Sequence, residues 1–175
     1  DAKLLAVLIF EYKQMTFDDI NLLIKDVISW DLCNHLCKNL IIKIKGYQLL
    51  IPQWVTSQHI YVKRAAFVLL ACDVIHNKNI LDSTLDTYLH FIRDYSHDEH
   101  IHIKKAISTA LKEIGKKDFD YHEKALLLSY ELIQDGDKVQ RWIANDAKKE
   151  LEKLVKVQGR SRLISRHSLM GKEEH

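Results

Sequence analysis

The chain has 175 residues, one proline, five glycines and 47% hydrophobic residues, and its 26 basic and 24 acidic side chains leave a net charge of +2. That is enough chain for one domain with a sizeable core, and too little punctuation for a β-rich fold. No apolar run approaches ~18 residues, and the short apolar opening at 2–10 has no basic leader, so neither a membrane span nor a signal peptide is expected.

Asp1 opens directly onto a helical pattern, which predicts an N-terminally incomplete piece of a longer protein. Residues 2–13 read as a helix. Thr16, with Asp19 three residues on, resembles a capping box for a helix to about Ile28. Asp31 is the expected N-cap of a helix that runs to about Lys45 and closes at Gly46. Residues 47–55 form a shorter helix, with Pro52 predicting a kink or early break.

Helices follow over 58–76, 82–95 and 98–114, the last with Gly115 as its expected C′ glycine. Residues 121–134 form another, closed by Asp135-Gly136, and Asp137 caps a final helix to about Val157. Residues 158–175 lose the apolar period. Arg160, Arg162, Arg166 and Lys172 then predict a mobile basic tail. The expected organisation is one helical domain over 1–157 followed by that tail.

One phrase recurs. Val62-Lys63-Arg64-Ala65-Ala66, Ile103-Lys104-Lys105-Ala106-Ile107 and Val139-Gln140-Arg141-Trp142-Ile143 start at 62, 103 and 139, so they are spaced by 41 and then 36 residues. A period near 40 in an all-helical chain is the mark of HEAT-type repeats. The expected fold is therefore all-α, a right-handed α-solenoid of antiparallel helix pairs, with pairs near 59–95 and 98–134. The central residue of each phrase is basic, so stacking is expected to align Arg64, Lys105 and Arg141 into a cationic stripe.

The three cysteines, Cys33, Cys37 and Cys72, are an odd count in a glycine-poor helical chain. They predict reduced thiols in a cytoplasm, used as small buried hydrophobes. A glycine-rich phosphate loop, a G-x-S-x-G elbow and an H-E-x-x-H helix are absent from the sequence. His97, His100 and His102, with Asp98 and Glu99, form an incomplete ligand set whose acids a helix N-terminus accounts for, so no metal site is expected. Trp142 reads as core, whereas Trp30, beside Ser29, Asp31 and Asn34, reads as an aromatic lining a surface cleft.

Ser29-Trp30-Asp31-Leu32-Cys33-Asn34-His35, the segment from Lys63 to Val68, the segment from Lys104 to Lys116, and Arg141-Trp142-Ile143-Ala144-Asn145-Asp146-Ala147 occur in this order. Together they resemble successive blocks of the bacterial DNA alkylation repair family, the HEAT-like alkylpurine DNA glycosylases. The resemblance spans roughly residues 2–155. It implies a curved solenoid that grips double-stranded DNA and excises cationic N3- or N7-alkylated purines without a cofactor. A carboxylate and indole faces would offset the positive charge of the base and of the breaking sugar bond, and an arginine would hold a backbone phosphate.

Carried over by position, the family's first cleft tryptophan falls on Trp30 and its phosphate-binding arginine on Arg64. Its catalytic aspartate falls on Asn34 and its second cleft tryptophan on Thr109. Asparagine has the shape of aspartate without its charge and cannot act as a base near neutral pH. Asp31 is already engaged at the helix start, which argues against its rescuing that role. The expectation is a monomeric, cytoplasmic, DNA-binding member that contacts phosphates through Arg64, Lys63, Lys104, Lys105 and Arg141 and lacks two of the groups for catalysis. The alternatives are an active alkylpurine glycosylase of base excision repair and a helical-repeat scaffold for protein partners.

Overall fold

A computed structural model describes residues 12–173. The helix expected over 2–13 lies almost wholly outside them. Nine α-helices occur among the described residues: α1 (Phe17–Lys25), α2 (Trp30–Asn39), α3 (Leu50–Trp54), α4 (Ile60–His76), α5 (Asp82–Tyr95), α6 (Ile101–Gly115), α7 (Phe119–Gln134), α8 (Lys138–Leu151) and α9 (Leu169–Glu173). Short 3-10 turns fill 12–14, 41–43 and 47–49, and a two-stranded antiparallel ribbon pairs β1 (Leu154–Val155) with β2 (Ile164–Ser165). The fold is all-α apart from this ribbon.

The caps explain the boundaries. Thr16 and Asp19 form the expected capping box, and Asp137 and Gln140 form another at α8. At α2 the cap is Ser29, whose Oγ accepts from the Leu32 amide at 3.2 Å, and Asp31 sits inside the first turn. Serine at 29 fills the capping position first, which displaces the expected role of Asp31. Pro52 falls in the first turn of α3, where its missing amide costs little.

Helices α2, α4, α6 and α8 pack side by side in one row, and α4 against α6 is the most extensive contact. Helices α1, α3, α5 and α7 flank that row: α1 and α3 lie on α4, α5 touches α6 and α7, and α7 lies against both α6 and α8. Every residue of α4 from Arg64 to Val74 is buried. A helix apolar on all sides has to be central, and this one is. The apolar core is a single cluster running from Ile20 to Leu151.

Gly115 is not a left-handed C′ residue, since only Gly46 (φ 80°) and Gly159 (φ 77°) have positive φ among the described residues. It is the last residue of α6, and a Cβ there would lie 2.5 Å from a Leu151 methyl and 3.1 Å from the Ala125 Cβ. Its lack of a side chain lets α6 approach α7 and α8 closely.

The final segment departs most from expectation. After α8 the chain forms the β1–β2 ribbon and returns along the row. Val157 and Leu163 are buried, and the Leu163 amide donates to the Lys116 carbonyl at 2.8 Å. Two apolar residues inside a basic stretch anchor it, so the chain through Leu163 is docked on the helices. Trp142 departs as well: it is 37% exposed and carries Lys104 Nζ 4.7 Å from its ring centroid.

Candidate functional site

A cleft of about 230 Å³ runs along α4 between α2 and α6. Phe67, Val68, Ala71 and Ala106 give it an apolar floor, and its polar groups are Asn34, Lys38, Arg64, Thr109 and Glu113. Three of the four positions singled out by the resemblance, Asn34, Arg64 and Thr109, therefore meet in one groove. Trp30 does not line it. That indole stands one turn before Asn34 and is 49% exposed.

Arg64 is the central group. It is only 7% exposed. One Nη donates to the Asn34 Oδ1 at 3.0 Å, and the other donates to the His102 carbonyl in a short contact. Its Nε is buried with no partner among the described residues. A charged guanidinium is rarely buried without a carboxylate. Here the side-chain acceptor is a neutral amide, so among the described residues no carboxylate offsets the charge and Nε has no acceptor.

The surrounding electrostatics point the same way. Lys38, one turn beyond Asn34, is exposed and has no carboxylate partner among the described residues. Glu113, one turn beyond Thr109, is the only carboxylate among the described residues that line the cleft, and it is held by Lys116 and Arg162 at 2.8 Å each. His102 is pushed below its ordinary value by burial and by the charge of Arg64, so it is neutral at pH 7. The cleft is therefore cationic.

The other cations expected to line a stripe are distributed unevenly. Lys105 and Arg141 are exposed, and the Arg141 Nε donates to the Gly136 carbonyl at 2.8 Å. Lys63 is tied to Asp98 at 2.9 Å, and Lys104 lies over Trp142. The row thus carries one buried guanidinium on α4, followed by one surface cation on α6 and one on α8. Thr109 Oγ1 donates back to the Lys105 carbonyl at 2.9 Å, so an exposed small side chain stands at this position of the cleft.

Cys33, Cys37 and Cys72 are free and buried. The Cys33 and Cys37 thiols donate to the Tyr61 and Ala65 carbonyls across the α2–α4 contact. The His97–His102 stretch is used structurally: Asp98 holds the His100 amide and Lys63, and His100 Nδ1 accepts from the His102 amide at the start of α6. No group of three metal-ligating side chains occurs among the described residues. No described helix is long and apolar enough to cross a membrane. A second concavity, between α5 and α7, has its charges already closed in the pairs Lys124–Asp86 and Arg93–Glu131.

The family model for the DNA alkylation repair enzyme matches residues 1–151. This chain belongs to the DNA alkylation repair enzyme family. Membership supports a role in DNA repair. No curated protein and no solved structure matches the chain. Lys38 and Glu113 are the cleft residues that sequence reasoning missed, and Arg162 reaches Glu113 from outside the lining. The available signal was the i+4 spacing, which puts Lys38 beside Asn34 and Glu113 beside Thr109 on their helix faces.

Proposed function

We propose that this member of the DNA alkylation repair family binds double-stranded DNA through the row α2–α4–α6–α8 and does not excise bases. The row would form the DNA-facing side of a right-handed solenoid of HEAT-like pairs. Arg64, Lys38 and Lys105 would meet phosphates near the cleft, and Arg141 would support the far end of the groove. The observation that carries this reading is the buried Arg64 guanidinium held by Asn34, at the position where the resemblance leads one to expect a carboxylate.

Excision of an alkylated purine needs negative charge next to a cationic base and an oxocarbenium-like sugar. A carboxylate about 4–5 Å away supplies roughly 3–4 kcal/mol at an effective dielectric near 20. Losing it costs roughly a hundredfold or more in rate, and the unmasked field of Arg64 adds repulsion. The same field favours an anion. The geometry therefore suits a phosphate better than the transition state of glycosidic cleavage.

A salt titration of duplex binding tests the first half. Three phosphate contacts predict a log–log slope of roughly −2.7, and binding that ignores salt would overturn the reading. Release of alkylated purines from methylated DNA tests the second half. Wild-type protein is expected to release none, and Asn34→Asp combined with Thr109→Trp is expected to restore release. Release by the wild type would make the chain an active glycosylase.

A further inference from the structure

The family match ends at residue 151, and the chain goes on to a feature that acts on the cleft. The β1–β2 ribbon carries Arg162 to the end of the groove. One Nη donates to the Val74 carbonyl at 2.9 Å, and the other donates to both the Glu113 carbonyl and the Glu113 carboxylate at 2.8 Å. Val74 and Glu113 lie in the last turns of α4 and α6, where carbonyls lack intrahelical partners and the helix dipole is negative. One guanidinium thus covers two helix C-termini and the Glu113 carboxylate, the only one among the described residues lining the cleft. Lys116 also reaches Glu113, but it is shared with Glu150 at 2.6 Å. Without Arg162 that end of the cleft would present two negative helix ends and a partly compensated carboxylate.

We propose that Arg162, delivered by the C-terminal ribbon, is a positioning residue that masks Glu113 and so makes the Asn34–Arg64–Thr109 cleft accept a phosphate group. The proposal rests on the DNA-binding reading of this cleft. Arg162 acts through Glu113, not by touching the ligand. Its ribbon is held independently by the buried Val157 and Leu163 and by the Leu163–Lys116 backbone bond.

The test uses the full chain and three variants: Arg162→Gln, Glu113→Gln and the double substitution. Arg162→Gln is expected to weaken duplex binding at low salt by roughly five- to tenfold, the usual scale for unmasking one nearby charge. Glu113→Gln is expected to tighten it by about two- to fivefold, because Arg162 is then uncompensated. The double variant is expected to return to within about twofold of wild type, the signature of coupled neighbours. A double variant as weak as Arg162→Gln would mean that Arg162 touches the phosphate itself or only holds the fold. A Glu113→Gln variant that binds no tighter would also overturn the proposal.

Inorganic pyrophosphate separates this inference from the reading beneath it. In wild type it is expected to shift the Asn34 and Thr109 amide resonances, and in Arg162→Gln it is not. Pyrophosphate shifts that depend on Arg162, in a protein that binds no duplex, would uphold the masking and sink the DNA reading. Duplex binding indifferent to all three variants would do the reverse.

Discussion

Helix α4 buries one charge near each end, and the two are handled in opposite ways. Asp73, 1% exposed, accepts four hydrogen bonds: from Tyr47 Oη, Gln48 Nε2 and Asn77 Nδ2 at 3.0, 3.0 and 3.3 Å, and from Tyr88 Oη at 2.8 Å. Burial, followed by the Asp73 carboxylate, pushes both tyrosines well above their ordinary value, so they stay neutral donors. Arg64 has two partners, no carboxylate and an unpaired Nε beside a cleft. A buried charge with every lone pair occupied stabilises a fold. One with a free donor and an open groove is kept for something outside the fold.

The comparison breaks first at Asp73. Replacing it with alanine strands two buried tyrosine hydroxyls and leaves two half-buried amides without their acceptor. A loss of about 3–5 kcal/mol is expected in chemical denaturation, with DNA affinity per folded molecule unchanged. A small loss would mean that those four donors find other partners and that the Asp73 end is not the structural one.

Arg64→Met is expected to do the opposite. It keeps the length and removes the charge, and stability should fall by only about 1–2 kcal/mol, because the His102 carbonyl and Asn34 can turn to water in the cleft. Duplex affinity should fall about tenfold or more, with the salt slope shallower by about one unit. If the stability loss matched that of Asp73→Ala and DNA binding were intact, Arg64 would be a second structural charge.

Part of this contrast was legible in the sequence. The repeat phrase marked Arg64, the caps at Thr16 and Asp137 were plain, and a helix over 58–76 was expected. Whether Arg64 points outward or inward was not. Its equivalents Lys105 and Arg141 lie on the surface at the same place in their phrases, and only the tertiary placement of Asn34 and the His102 carbonyl turns Arg64 inward. Asp73 was hidden for the same reason: its partners are up to 26 residues away. The ribbon was misread because a basic, glycine-containing stretch lacks periodicity. Its anchors are two isolated apolar residues, and its most important contact, Arg162 to Val74, spans 88 residues.

A smaller effect sharpens the view of the cleft. Asn34→Asp gives Arg64 the carboxylate it lacks. The cleft becomes nearly neutral, and duplex affinity is expected to fall by roughly three- to tenfold while stability at neutral pH rises. The guanidinium would hold the new carboxyl below its ordinary value. That added stability would be present above the ordinary carboxylate range and lost as pH falls through the folded value. Tighter DNA binding by this variant would sink the claim that the uncompensated charge is what DNA meets.

The next interface along the row shows what a closed version looks like, and it predicts the smallest effect. Between α6 and α8, Asp146 accepts from Ser108 Oγ at 2.6 Å and from Lys112 Nζ at 2.7 Å. Burial alone would raise its carboxyl, but those two bonds outweigh burial and hold it below its ordinary value of 3.8. The pair is partly exposed, so solvent screening keeps its worth below about 1 kcal/mol. A depressed folded value means that the unfolded chain takes up the proton first. The contribution is therefore complete above the ordinary carboxylate value and disappears as pH falls through the folded one. The melting-temperature gap between wild type and Asp146→Asn should be constant near neutrality and close in acid. The gap between wild type and Arg64→Met should show no such closure over the same range, because Asn34 does not titrate.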